Sequence, residues 1–364
     1  MDEARQKRGG RAMTDSKMDA KLDRRGFLKA GGATALTAPI LGAAGAEAAL
    51  ASPAPQNAPA QNATGQNQAG QKQFPQLAMI VPYSPQNLAF ASSAGYQGVV
   101  VPVAKDFGPD IGDAAIDKII QTARDANIRI ISIEAMNGFN HSDPDPAKRR
   151  DAQQRFLGCV EFAHRLGCKF VGTFSGGIPG ASADDQAKAF ADAFNEVYAP
   201  VLEKLDMSIG WENYPTPPNF ATVPAYYDKV FALVPNKRLG LEFDPSHYVR
   251  QFIDPIQVAW NYKDRILAVH LKDTEITQPV LQQVGIHGTG WWRYRIPGQG
   301  LVNWPAFFTC LLQAGFSGGM AVEHEDQFWD QPHTPQVPEL CQARKDGFNE
   351  AMRFLRLYMP GRTA

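Results

Sequence analysis

From residue 77 onward the chain repeats one pattern: a short apolar run, a polar turn, then a longer stretch of helical period. Eight such runs occur, at 77–81, 98–102, 128–133, 169–173, 207–211, 239–243, 266–271 and 319–322. Helical stretches are expected at 113–126, 147–166, 184–205, 218–234 and 303–314, with 339–358 closing the chain. The runs are apolar at successive positions, so both faces need cover, as in a parallel sheet layered with helices. Eight strand-helix units predict the α/β class and a single (β/α)8 barrel over residues 74–364. An open doubly wound sheet would place a Gly-rich phosphate turn after its first strand, where this chain reads Val81-Pro82-Tyr83-Ser84-Pro85.

Two segments precede the pattern. Asp23-Arg24-Arg25-Gly26-Phe27-Leu28-Lys29, a weakly apolar Gly/Ala-rich run and small residues near 49 resemble a twin-arginine export signal over 1–49, implying a periplasmic protein. Residues 50–73, rich in Pro, Gln, Asn and Ala, have the composition of a disordered linker. Losing residues 1–49 removes nine Lys/Arg and six Asp/Glu from the 36 and 37 of the whole chain, leaving a net charge near −4. An acidic chain is a poor partner for nucleic acid. Cys159, Cys168, Cys310 and Cys341 show no metal-binding spacing and read as free thiols, with one disulfide left open.

In such a barrel, chemistry sits at the C-terminal ends of the strands. The last four runs end Trp211-Glu212-Asn213, Glu242-Phe243-Asp244-Pro245-Ser246-His247, Val269-His270-Leu271-Lys272-Asp273 and Val322-Glu323-His324-Glu325. Residues alternate in and out along a strand. If Glu212, Asp244, His270 and Glu323 point inward, Trp211, Phe243, Val269 and Val322 point to the helices, and all four are apolar. Three carboxylates and an imidazole at one point require a cation, because like charges so close repel. Oxygen-rich ligation with one imidazole suits Mn²⁺ first, then Mg²⁺ or Co²⁺. One layer deeper stands Glu242, read as a structural hydrogen-bonding group in need of a partner.

Glu212, then Asp244-x-x-His247, then His270-x-Lys272, then Glu323 resembles the sugar phosphate isomerase/epimerase superfamily, the xylose isomerase-like barrels. That resemblance implies Glu212, Asp244, His270 and Glu323 as metal ligands, with Glu212 and Glu323 also the catalytic acid/base pair. It implies His247 and Lys272 as holders of substrate oxygens. The second run ends Val101-Pro102 where relatives often carry an acid, and residues 274–302 form a long insertion before the seventh helix. Within it, Trp292, Arg293 and Arg295 are expected to bind substrate: Trp291, Trp292 and Tyr294 offer apolar faces on which a pyranose can stack, and Arg293 and Arg295 can hold hydroxyls, a carboxylate or a phosphate.

The implied activity is isomerisation or epimerisation of an unphosphorylated keto-sugar, by proton abstraction beside the carbonyl through a metal-stabilised enediolate. Elimination from the same species would cleave a 3-keto-glycoside. Endonuclease-IV-like barrels need histidines on early strands and an Asp-x-His beyond the seventh; here His141 lies past the third run and His287 follows Gly285 by two. A non-catalytic sugar-binding barrel would not need the tetrad. The expected partner is a small sugar or glycoside, without nucleic acid or, after signal removal, membrane; a homo-oligomer is left open.

Overall fold

The computed structural model describes residues 75–330 and 339–359. The export signal and linker expected at 1–73 lie outside the described residues.

Eight parallel strands close into a barrel: β1 (Gln76–Ile80), β2 (Gly98–Pro102), β3 (Arg129–Ala135), β4 (Phe170–Thr173), β5 (Ser208–Glu212), β6 (Leu239–Phe243), β7 (Ile266–Leu271) and β10 (Gly319–Val322). β10 closes the ring between β1 and β7, so each apolar run of the sequence became a stave. Between β7 and β10 stands an antiparallel ribbon, β8 (Asp273–Ile276) and β9 (Trp292–Arg295).

Two apolar layers follow from the alternation. Trp211, Phe243, Val269 and Val322 pack outward in the large core between strands and helices. Ala78, Val100 and Ala321, with Ile80 and Ile131 against them, form a small separate cluster inside the barrel. Small side chains there leave room for what the upper barrel must hold.

Local chemistry sets the helix starts. Ser84 and Asp145 cap the helices Pro85–Ser93 and Pro146–Arg165, each followed by proline at the first helical position. The helix expected from 218 begins instead at Pro224. Residues 219–221 are drawn to β4, because Ser175 Oγ accepts the Phe220 and Ala221 amides and Asn219 Oδ1 accepts the Ser175 amide and hydroxyl. The stretch 184–205 is helical but broken by a π-helical turn at Phe194–Tyr198. All four cysteines are free. Among the described residues no helix is long and apolar enough to cross a membrane.

Candidate active site

The strand-end sequence Asp244-Pro245-Ser246-His247 is a helix start placed on a barrel rim. Asp244 is the N-cap of the helix Pro245–Arg250, its Oδ1 accepting the Ser246 amide at 2.7 Å. Its backbone is clamped to the end of β5, where Asn213 donates to the Asp244 carbonyl and accepts its amide, both at 2.9 Å. One carboxylate oxygen is thus fixed by the cap. The other, Oδ2, is buried without a hydrogen bond, with Lys272 Nζ at 3.2 Å and His247 Nε2 at 3.4 Å.

Around that oxygen the structure brings Glu212, Asp244, His270 and Glu323 together, one potential ligand atom from each lying within 4.8 Å of the others. His270 Nδ1 lies 3.2 Å from Glu212 Oε1 and 3.0 Å from Glu323 Oε2. Its other nitrogen points down the barrel, where Nε2 is 3.2 Å from Glu242 Oε1 and 3.2 Å from Glu134 Oε1. Glu242 therefore finds its partner in the imidazole itself. It fits because β4 carries glycine opposite: a Cβ at Gly172 would land on the Glu242 carboxylate.

The expected substrate residues divide. His247 is wholly buried, with Nε2 donating to Glu212 Oε1 at 2.9 Å and Nδ1 accepting from the Tyr294 hydroxyl at 3.0 Å. Lys272 Nζ lies 2.8 Å from both Glu323 Oε2 and Glu325 Oε2, beneath the Tyr294 ring. Both line a cavity of about 690 Å³ over the tetrad. Trp292, Arg293 and Arg295 do not line it. The Trp292 ring is covered by the Arg250 guanidinium at 4.0 Å, Arg293 pairs with Glu275, and Arg295 pairs with Glu275 and Asp326. Ribbon register explains the difference: Trp292 and Tyr294 share one face, against the helix Pro245–Arg250, and only Tyr294 reaches the site.

Burial and charge oppose each other here. Burial alone would raise the Glu212 carboxyl, but charge on His270 and hydrogen bonds from both histidines hold it well below the ordinary range. Glu323, likewise buried, is brought to about 2 chiefly by the Lys272 ammonium. Glu134 is pushed up to about 7, first by burial and further by Glu242 and Glu323, against the pull of His270. Burial would lower His270, yet Glu242, Glu323 and Glu212 together raise it well above an ordinary imidazole.

Three carboxylates, one of them with an orphaned buried oxygen, and one imidazole fit a divalent ion of the oxygen-preferring kind. Nδ1 of His270 would hold the ion after losing its proton, while Nε2 faces the Glu134 and Glu242 carboxylates at 3.2 Å, placed as the outer support that metal-binding imidazoles usually have. Glu134 and Tyr214 are the residues at the site that the sequence reading missed, while Tyr294, expected as a stacking face, instead holds His247. Glu134 had a visible signal, since it stands near the end of β3 one residue beyond the apolar run, in register with Pro102.

His141 is remote from this chemistry, enclosed by Phe156, Phe190 and Tyr198, with hydrogen-bond contacts to Tyr198 and Thr173. Among the described residues there is thus no histidine of the early strands at the cage.

The sequence profile of the xylose isomerase-like TIM barrel family matches residues 88–358. Curated relatives include an inosose dehydratase of Lacticaseibacillus casei, 24% identical over 191 residues, and one of Klebsiella pneumoniae, 27% identical over 200. These matches cover 48% and 49% of this chain and 63% and 65% of the relatives, so the chain spans just under two thirds of their length. Among solved structures, a D-allulose 3-epimerase from Methylomonas sp. superposes with a TM-score of 0.59 at 15% identity, covering 79% of this chain and 98% of its own. A probable 3-DHS dehydratase from Bacillus anthracis does so with 0.58 at 13% identity, covering 77% and 98%.

Proposed function

Because the chain belongs to the xylose isomerase-like TIM barrel family, we propose that it is a metal-dependent enzyme that moves a proton on the carbon beside the carbonyl of an unphosphorylated keto-sugar, as an isomerase or epimerase. The observation that carries this reading is the convergence of Glu212, Asp244, His270 and Glu323 under one cavity. When bound, the ion supplies Lewis-acid polarisation of the substrate's carbonyl and hydroxyl oxygens.

The remaining work falls to side chains. Glu212, ionised and oriented by His247, takes the carbon-bound proton; Glu323, oriented by Lys272, serves the other face. Tyr294 fixes the His247 tautomer, so that Nε2–H faces the carboxylate. An unphosphorylated substrate agrees with Arg293 and Arg295 being paired to Glu275 and Asp326 away from the cavity wall. Export to the periplasm by the twin-arginine pathway belongs to the same proposal.

A second reading is favoured by one observation. The Lys272 ammonium lies at the cavity wall between Glu323 and Glu325, where it can donate to a departing oxygen. Elimination from the same enolate would then dehydrate the substrate or cleave a keto-glycoside, and dehydratases stand among the similar proteins.

Incubating Mn²⁺-loaded protein with free ketoses and with 3-keto-glycosides in deuterated water tests both. Deuterium in a recovered isomer supports the first reading, and release of the aglycone supports the second. Glu323→Gln should keep the metal and lose the exchange. No exchange with any keto-sugar would sink the proposal.

A further inference from the structure

Beside the cage cavity lies a second cleft of about 610 Å³. Met136, Asn137, Phe139, Phe174 and Tyr214 line both, so the two compartments adjoin along these shared residues. That boundary is aromatic: Phe174 and Tyr214 stack at 5.7 Å with 23° between ring planes, and Tyr214 lies 5.1 Å from the His247 ring. Pro217 and Pro218 add apolar surface.

Several polar groups of this second compartment are already committed, although Asn137, Lys148 and Thr216 also line it. Asn140 Nδ2 donates to the Gly177 carbonyl and its Oδ1 accepts the Gly177 amide. Asn219 Nδ2 donates to the carbonyls of Glu212 and Tyr214, and Arg155 donates to Asp151 and to the Gly138 carbonyl. An occupant would meet ring faces and proline edges more than free donors. The cage compartment alone is large enough for a monosaccharide.

We propose that this compartment binds an apolar, aromatic substituent carried by the substrate's sugar ring, so that the preferred substrate is an aryl glycoside or a similar conjugate rather than a free sugar. The inference rests on the cage being the reacting centre, and it selects a substrate class for that centre. Ring stacking on Phe174, Tyr214 and Phe139 supplies the preference.

Calorimetry with Mn²⁺-loaded protein and two unreactive probes, phenyl β-glucoside and methyl β-glucoside, tests it. The phenyl compound should bind about tenfold more tightly. Phe139→Ala should erase that difference, as should Ala147→Trp, which fills the cleft from the helix Pro146–Arg165 and touches only this compartment. Absent or equal binding, a preference that survives both substitutions, or a disaccharide binding as tightly as the phenyl compound would overturn the proposal. Deuterium exchange into free ketoses should be unchanged in Ala147→Trp; absence of exchange in the wild-type protein would refute the catalytic reading separately.

Discussion

Neutralising the two carboxylates beneath His270 is the most informative perturbation of this site. Glu134 and Glu242 each place Oε1 3.2 Å from Nε2, from different strands of the barrel wall, and both are buried. Glu242→Gln alone leaves Glu134 in place and removes the repulsion that helps hold its carboxyl at about 7. The remaining carboxylate then takes over the imidazole N–H. Each single variant should therefore weaken Mn²⁺ binding by only about 1 kcal/mol, roughly fivefold. The double variant has no carboxylate on Nε2, and affinity should fall about 10- to 100-fold, the range seen when outer support of a metal-bound histidine is lost. At the hundredfold end of that range the loss, about 2.7 kcal/mol, exceeds the roughly 2 kcal/mol sum of the singles, as expected for groups sharing one partner. Calorimetric Mn²⁺ titration, checked by the rise in Tm that saturating metal produces, measures all three. A double variant binding Mn²⁺ like the wild type would refute the reasoning. So would one single variant showing the whole loss, because the carboxylates would not then be interchangeable.

Other expectations follow from particular contacts. Gly172→Ala forces a methyl against the Glu242 carboxylate and should lower stability by about 1–3 kcal/mol in urea unfolding, with a matching loss of metal affinity. Asp273→Ala should cost more than about 3 kcal/mol, because Asp273 accepts from the amides of Thr274, Gly298 and Val302 and from Trp304 Nε1, and all four donors would be stranded together; limited proteolysis should then cut within 274–302. Burial brings the His141 and His324 imidazoles down to about 4 from 6.5, so the unfolded chain takes up protons first. Their contribution is complete above about pH 6.5 and is lost as pH falls towards 4, at about 1.4 kcal/mol for each tenfold difference in proton affinity between the folded and unfolded histidine. Urea midpoints measured from pH 7 to 4.5 should decline, and less so in His141→Phe.

Much of the fold was visible because a barrel stave must be apolar on both faces, which marks it without reference to its neighbours. Alternation then carried the reasoning from Trp211, Phe243, Val269 and Val322 to the inward neighbours that converge on the cage. Asp244-Pro245-Ser246-His247 was legible as a strand end, but its second role as a helix cap needed the structure. Other features depended on pairing that no local pattern carries. Which of Trp292 and Tyr294 faces the site follows from ribbon packing on the helix Pro245–Arg250, and only Tyr294 reaches His247. Glu134 escaped because the apolar run stops at Ile133, although its strand continues. The late start of the helix at Pro224 comes from Ser175, far away in sequence.

Anomalous scattering from crystals grown with Mn²⁺, with metal content counted on the same protein, is the most direct test of the central claim. One ion per chain should appear among Glu212, Asp244, His270 Nδ1 and Glu323, and Asp244→Ala should lose it. Metal-free protein at saturating Mn²⁺, or an ion bound through other side chains, would contradict the assignment of the cage.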